Sequence, residues 1–532
     1  MSKLLSPKIR VFFERWGGLI CAVFIFVLIT LPAGLTDRHV LRNLEPYPDG
    51  LLYALSARNL TLGRGLQLVY EGSQIAMWVP PLYALLLSVG YVIDKTASNF
   101  YFVNLLLGVG SLAVLWYLLT QTVRQTWLRW LGMGLYISHA YLLWLPMVPM
   151  SENASLLLFL LSFVGLVQQK PTPKKLALSG IGIIGLLLTR YALLLVVAMF
   201  GIWWLSRLLQ LFKSKHRMQL IAGVAALGAL AVPVLFLTGT LKLHFFTSMI
   251  RELKTGGEFF SFSFIGMNVE KYWQVLLGKS SFFLWMQYPL HSVALSIFAI
   301  AGMVFGIVKN RGQDRERFIL LASVWLAILP VLLIFYIFDS RYLVLTIGLF
   351  VFAVVWTLEL LIKKYPEKKL LLMGLVVLLV VCQVLSQARF YKELLVTNLL
   401  HRSTAWQYES IQHFNTFAQT HPNVTIITAL PPFLVDAYQK NAYHVLPLSH
   451  SQEFISKEVY VWGEGVPYQN LFGGYSEWLK EGRELYISNA YITHQQAVIQ
   501  DFEQFKKQFD LELVSEGCSQ ACNIYKLTTK EL

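Results

Sequence analysis

Apolar residues fill the first 388 positions in blocks of membrane length, separated by short polar patches. The blocks lie near 17–35, 79–94, 99–120, 128–145, 151–169, 176–189, 191–209, 219–240, 290–308, 318–338, 342–362 and 369–388. About 20 apolar residues in a row make a helix long enough to cross the hydrocarbon core, so these blocks predict transmembrane helices. After 389 no such block occurs. Short runs at 424–429, 443–448, 459–462, 484–488, 511–514 and 523–527 read as strands, with helical patterns near 404–419, 432–440 and 494–507. Strands interleaved with helices predict an α/β domain of about 130 residues, enough for a small core. The predicted organisation is a transmembrane domain over 1–388 and an α/β domain over 389–532.

Composition agrees. The chain of 532 residues is 56% hydrophobic, with mean hydropathy +0.55. Its net charge of +14 is not read as a nucleic-acid signature, because no basic soluble domain is present to carry one. Lys and Arg gather instead in loops, as they do on the cytoplasmic side of multi-pass proteins. The basic loops hold Arg124 and Arg129; Lys170, Lys174 and Lys175; Arg207, Lys213, Lys215 and Arg217; Lys309, Arg311, Arg315 and Arg317; and Lys363, Lys364, Lys368 and Lys369. All five fall on the side of the N-terminus only if one early block does not cross. Block 79–94 is short and opens on Pro80-Pro81, so it is read as a helix dipping into the outer leaflet. Lys3, Lys8, Arg10 and Arg15 precede block 17–35, which reads as a first span rather than a signal peptide. The result is about eleven crossings, a cytoplasmic N-terminus and an extracytoplasmic C-terminal domain. The outer face carries 36–98, the long loop 241–289 and everything after 389. Block 176–189 is short enough to be a tilted or broken span.

This topology collects charged residues on one face: Asp49 and Arg58 in the first loop, Glu152 after Ser151, Arg190 between Thr189 and Tyr191, and Asp339 with Arg341 around Ser340. Ionisable groups beside a bilayer are costly and favour water-filled sites. Arginine forks suit phosphate oxygens. A carboxylate suits a general base or a ligand of a divalent cation. Each residue also has a plainer reading. The arginines can be interfacial anchors, Asp339 and Arg341 can pair with each other, Ser151 can cap the helix that Glu152 begins, and Asp49 can cap a helix over 50–62.

The order of these parts resembles the GT-C superfamily of membrane glycosyltransferases, in the branch of the protein O-mannosyltransferases and the lipid A aminoarabinose transferases. The resemblance spans about 17–388. It rests on Asp49-Gly50-Leu51-Leu52-Tyr53-Ala54 with the helix to Leu60, Gly63-Arg64-Gly65, Tyr70-Glu71-Gly72, Pro80-Pro81-Leu82-Tyr83, Ser151-Glu152, Thr189-Arg190-Tyr191 and Ser340-Arg341-Tyr342-Leu343. It implies a GT-C-like fold and a donor sugar on a polyprenyl phosphate. That sugar would pass with inversion to a glycan, lipid or protein acceptor outside the membrane. Asp49 would be the catalytic base, with Arg58, Glu152, Arg190, Asp339 and Arg341 binding substrate. Two departures stand out. Many relatives carry an acidic pair where this chain has Asp49-Gly50, and some carry Lys where Trp78-Val79 precedes the prolines. Glu71 is then the candidate second acid, and the need for a divalent cation stays open.

In the C-terminal domain, Cys518 and Cys522 are spaced for a short-loop disulfide in an oxidising compartment. A metal pair and free thiols are the alternatives. Trp406, Trp462, Tyr468 and Trp478 suit either sugar stacking or a core. Short loops and a periplasm-like outer domain favour the inner membrane of a bacterial cell envelope. Competing readings are a transporter of lipid-linked substrates, against which stands the lack of internal repeats, and a non-catalytic scaffold.

Overall fold

The computed structural model describes residues 7–34, 49–70, 73–76, 80–93, 100–212, 261–276, 289–335, 340–399, 406–430, 435, 443–450, 470–494, 496–518 and 521–530. In chain order the elements are α1 (Pro7–Gly34), α2 (Asp49–Thr61), β1 (Gln67–Tyr70), β2 (Ser73–Ala76), α3 (Pro81–Ile93), α4 (Phe100–Thr122), α5 (Thr126–Ile137), α6 (Ala140–Trp144), α7 (Glu152–Leu166), α8 (Pro173–Thr189) and α9 (Leu194–Phe212). Then come α10 (Phe264–Leu276), α11 (Val293–Lys309), α12 (Gly312–Ile334), α13 (Thr346–Lys364), α14 (Lys369–Ser386) and α15 (Ala388–Leu399). The last part holds α16 (Trp406–Thr420), β3 (Thr425–Thr428), β4 (His444–Pro447), α17 (Leu471–Lys480), β5 (Leu485–Ser488), α18 (Gln496–Gln508), β6 (Phe509–Ser515) and β7 (Ile524–Thr529). They form two compact units. The first is Met1–Thr36, Trp78–Tyr83 and Tyr101–Leu400; the second is Asp37–Met77, Ala84–Phe100 and His401–Leu532.

The first unit is a helical bundle. Among the described residues six helices are long and apolar enough to cross a membrane: Val11–Leu31, Phe100–Thr122, Leu194–Leu211, Gly312–Ile334, Thr346–Lys364 and Pro366–Ser386. Burial separates centre from rim. Most of α13 is buried, and Phe352 on it joins Phe159, Phe163 and Phe200 in a cluster of ring contacts. By contrast α1 and α14 expose Phe24, Leu28, Leu370 and Val377, the apolar outer faces that lipid would cover. The tightest neighbours are α7 and α8. A Cβ on Gly182 would sit 2.6 Å from the Leu158 carbonyl oxygen and 2.6 Å from the Ser162 nitrogen, so this hairpin closes on backbone, as small residues allow in membranes.

Block 128–145 departs from expectation. It is two helices, α5 and α6, broken at Ser138-His139. Ser138 Oγ donates to the Leu135 carbonyl (2.8 Å), and His139 Nδ1 donates to the same carbonyl (2.8 Å). Side chains that bond these carbonyls compete with the helix ladder and weaken it locally. His291 Nδ1 then donates to His139 Nε2 (3.1 Å), while Gln387 Oε1 accepts from the Ala140 N–H (2.6 Å). The break is thus a satisfied polar layer inside an apolar bundle. Block 79–94 is the 13-residue helix α3, about 20 Å long at 1.5 Å per residue. Block 219–240 and most of loop 241–289 lie outside the described residues; within the loop, α10 is helical.

The second unit contains α2, the β1–β2 hairpin and a five-stranded sheet in the order β4-β3-β5-β7-β6. The strands β4, β3 and β5 are parallel, with Ile426 opposite both Val445 and Tyr486. The strands β7 and β6 run antiparallel. Ile427, Leu446, Tyr475, Phe505 and Leu527 form the core of this α/β layer. The expected strand at 459–462 and most of the expected helix at 432–440 lie outside the described residues. Cys518 and Cys522 are joined by a disulfide with Cα atoms 5.2 Å apart.

Candidate functional site at the ends of α7, α8 and α13

The α7–α8 hairpin brings its first and last residues together. Glu152 opens α7 and Arg190 closes α8. Arg190 Nη1 lies 2.5 Å from Glu152 Oε1, with the two side chains 14% and 1% exposed. Among the described residues, neither Glu152 oxygen has a hydrogen-bond donor beyond this ion pair. The contact is a buried ion pair. The turn before Glu152 is pinned. Asn153 Nδ2 donates to the Asn104 carbonyl (2.5 Å), and Asn104 Nδ2 donates to the Val148 carbonyl (2.6 Å). Ser151 stands at the N-cap without a side-chain capping bond, contrary to the capping expectation.

The short 3-10 turn Ser340–Leu343 ahead of α13 supplies the third wall. Arg341 is buried, and its Nη1 faces the Met150 sulfur at 3.8 Å. The neighbouring Tyr342 lies under Arg190, with the guanidinium 4.8 Å from the ring centre. Glu152, Arg190, Arg341 and Tyr342 border one pocket, completed by apolar residues including Leu193, Ile328 and Val344. Its cavity is about 10 Å³, roughly the room of one water molecule. Two guanidiniums and one carboxylate thus meet at the end of the bundle, buried rather than spread on its surface. That burial argues against the interfacial-anchor reading for Arg190 and Arg341, since an anchoring Arg keeps its head in water.

Sequence reasoning placed Glu152, Arg190 and Arg341 on one side, and the structure brings them into one pocket. Tyr342 and Met150 were not foreseen as its partners. Asp49 and Arg58 share α2 in the second unit, at its first turn and its last; the helix spans Asp49–Thr61 rather than 50–62. Asn59 beside Arg58 is fully buried, and Thr61 Oγ1 donates to the Arg58 carbonyl (2.7 Å). Glu71 and Asp339 lie outside the described residues. Among the described residues no three His, Cys, Asp or Glu side chains gather as a metal site.

No protein-family model matches the chain, and no curated protein matches it in sequence. Solved structures are similar to it. ArnT from Cupriavidus metallidurans bound to undecaprenyl phosphate superposes with a TM-score of 0.61 over 96% of this chain and 98% of that one. The chain has the ArnT fold. At 11% identity the likeness is one of fold alone. The apo form of the same ArnT gives a TM-score of 0.48 at 12% identity, over 95% of this chain and 97% of that one. Within the ArnT fold, the pocket of Glu152, Arg190 and Arg341 is the feature of the bundle that needs a chemical explanation.

Proposed function

We propose that this chain is a multi-pass membrane glycosyltransferase that takes a sugar from a polyprenyl-phosphate donor and passes it to an acceptor outside the membrane. One observation carries the reading: the whole chain is similar in fold to an ArnT whose structure holds undecaprenyl phosphate. The pocket chemistry supports it. Arg190 and Arg341 suit the phosphate of such a donor, because guanidinium forks match phosphate oxygens. Glu152, a buried carboxylate beside Arg190, suits a sugar hydroxyl.

In this reading the acceptor hydroxyl attacks the anomeric carbon. The new C–O bond forms as the bond from that carbon to the phosphate oxygen breaks, and polyprenyl phosphate leaves with the electron pair. Asp49 takes the hydroxyl proton. A single displacement inverts the anomeric centre and needs no protein nucleophile. Cations held near the leaving phosphate stabilise charge where it develops; Arg190 and Arg341 have that role, with Arg58 and Asp339 as further substrate contacts and Glu71 as a second acid. No step is routed through a metal ion. The proposal includes about eleven crossings, a cytoplasmic N-terminus, a transmembrane domain over 1–388 and an extracytoplasmic domain over 389–532 in a bacterial inner membrane. The Cys518–Cys522 disulfide suits that oxidising side.

The test compares purified wild type with Asp49→Asn, using radiolabelled polyprenyl-phosphate sugars and a membrane extract as acceptor. Wild type transfers label, and the variant loses about 100-fold or more, the scale of general-base catalysis. Transfer that survives the substitution moves the base off Asp49. No transfer by wild type from any donor sinks the enzyme reading.

A further inference from the structure

We infer that the first unit has a second anion site, at the other ends of the same helices, that binds a phosphate-bearing ligand. It goes beyond the transferase reading and does not rest on it. From Glu152 the 15-residue α7 runs about 22 Å at 1.5 Å per residue. At its far end the Val167 carbonyl accepts from Arg317 Nε (3.2 Å). Arg317 lies near the start of α12, whose other end supplies Ile328 to the first pocket. Likewise α13 begins beside Arg341 and ends at Lys364. Around these far ends lies a cavity of about 860 Å³, within the range of ligand sites.

Its lining is strongly basic. Arg124, Arg129, Arg311, Arg317 and Lys363 border it, against the carboxylates of Asp314 and Glu359. Both carboxylates are engaged: Asp314 Oδ1 accepts from Arg317 Nη1 (3.3 Å), and Glu359 Oε1 accepts from the backbone N–H of Arg124 (2.5 Å). Arg129 is held by its own turn, donating from Nε to the Val123 carbonyl (2.8 Å). The floor is fixed too, with Trp356 Nε1 donating to Thr122 Oγ1 (3.1 Å) under the Arg317 guanidinium, 5.8 Å from the ring centre. That leaves the charged ends of Arg124, Arg311 and Lys363 without a carboxylate partner among the described residues, spread round one concavity. Guanidinium forks match the oxygens of phosphate, as they do those of carboxylate. Basic pockets between helix ends on the cytoplasmic side take phospholipid headgroups, and this is the side the charge pattern assigns to the cytoplasm. A soluble phosphate ester has the same chemistry, so the test separates the two.

Full-length protein in neutral detergent is titrated with phosphatidylglycerol, with phosphatidylcholine and with inorganic pyrophosphate, and bound ligand is counted by native mass spectrometry. The pocket variant is Arg124→Gln/Arg311→Gln/Lys363→Gln. A charge-matched control, Lys174→Gln/Lys309→Gln/Arg315→Gln, removes three cations that do not line the cavity. Phosphatidylglycerol retained over phosphatidylcholine, and lost about tenfold in the pocket variant but not in the control, establishes a headgroup site. The same pattern with pyrophosphate alone establishes a soluble phosphate ligand. Equal loss in both variants overturns the site, as does wild type that binds neither anion above the phosphatidylcholine level; the latter comparison needs no variant to fold. Should the triple variant be unstable, Arg311→Gln alone, at an exposed position, makes the same test with a smaller loss.

Discussion

At one end of α7 an arginine and a carboxylate close on each other inside the bundle; at the other end arginines ring an open cavity. The residue types are the same and the ion pairs differ in setting. Glu152 and Arg190 are 1% and 14% exposed, whereas Asp314 and Arg317 are 57% and 16% exposed. In a water-poor interior each charge depends on its partner, since the effective dielectric is low. At a wet surface the partner matters little, because water and salt screen both. The first end can therefore be a shaped site with fixed charge, and the second a reservoir of positive potential open to an anion.

The sharpest way to break this contrast is Glu152→Gln. It takes a buried carboxylate away from Arg190, so we expect a loss of up to about 3–5 kcal/mol in stability, read as a lower midpoint in denaturant unfolding of the detergent-purified protein. Replacing both partners, Glu152→Leu with Arg190→Leu, should recover most of that loss, because an apolar pair needs no counter-charge. A single variant as stable as wild type would mean that water reaches the pair, and the contrast between the two ends would collapse.

A middle-sized effect is expected in the shaft joining the two ends. Gly182→Ala places a Cβ 2.6 Å from backbone atoms of α7, and backbone cannot swing aside as a side chain can. We expect about 1–3 kcal/mol of destabilisation from overpacking. Gly134→Ala, where a Cβ meets nothing within 4 Å, is the matched control and should be neutral or mildly stabilising, since alanine favours helix. Equal effects at both positions would show that α7 and α8 do not pack on backbone, and that the two ends are less rigidly joined than the hairpin implies.

Much of this was readable from residues, for identifiable reasons. Lipid forces backbone groups into helices, so apolar length alone located α1, α4, α9 and α13. Short runs of strand-forming residues located β3 to β7. A hairpin of two helices puts its first and last residues at one end, so the side shared by Glu152 and Arg190 was legible while their contact was not. The stacking of Tyr342 under Arg190 depends on how the turn before α13 meets the end of α8, which no local pattern encodes. The break at Ser138-His139 was hidden because two polar residues inside an otherwise apolar block do not by themselves end a helix; their competition for carbonyls shows only in the structure. Helix α17 was missed because Gly473-Gly474 reads as a breaker; Asn470 offsets this by accepting from the Gly473 N–H (3.1 Å), and Tyr475 is buried in the core.

The smallest expected effect tests the open end. Asp314→Asn removes the carboxylate facing Arg317, but Arg317 keeps the Val167 carbonyl (3.2 Å) and the Trp356 ring. With Asp314 more than half exposed, the pair should contribute under about 1 kcal/mol, and the unfolding midpoint should barely move. Raising salt should erase even that difference, because exposed charges are screened within about 10 Å at 0.1 M. The same substitution removes one of the two carboxylates lining the cavity, so anion retention should rise while stability stays level. A stability loss matching that of Glu152→Gln would mean that this end is as closed to water as the other.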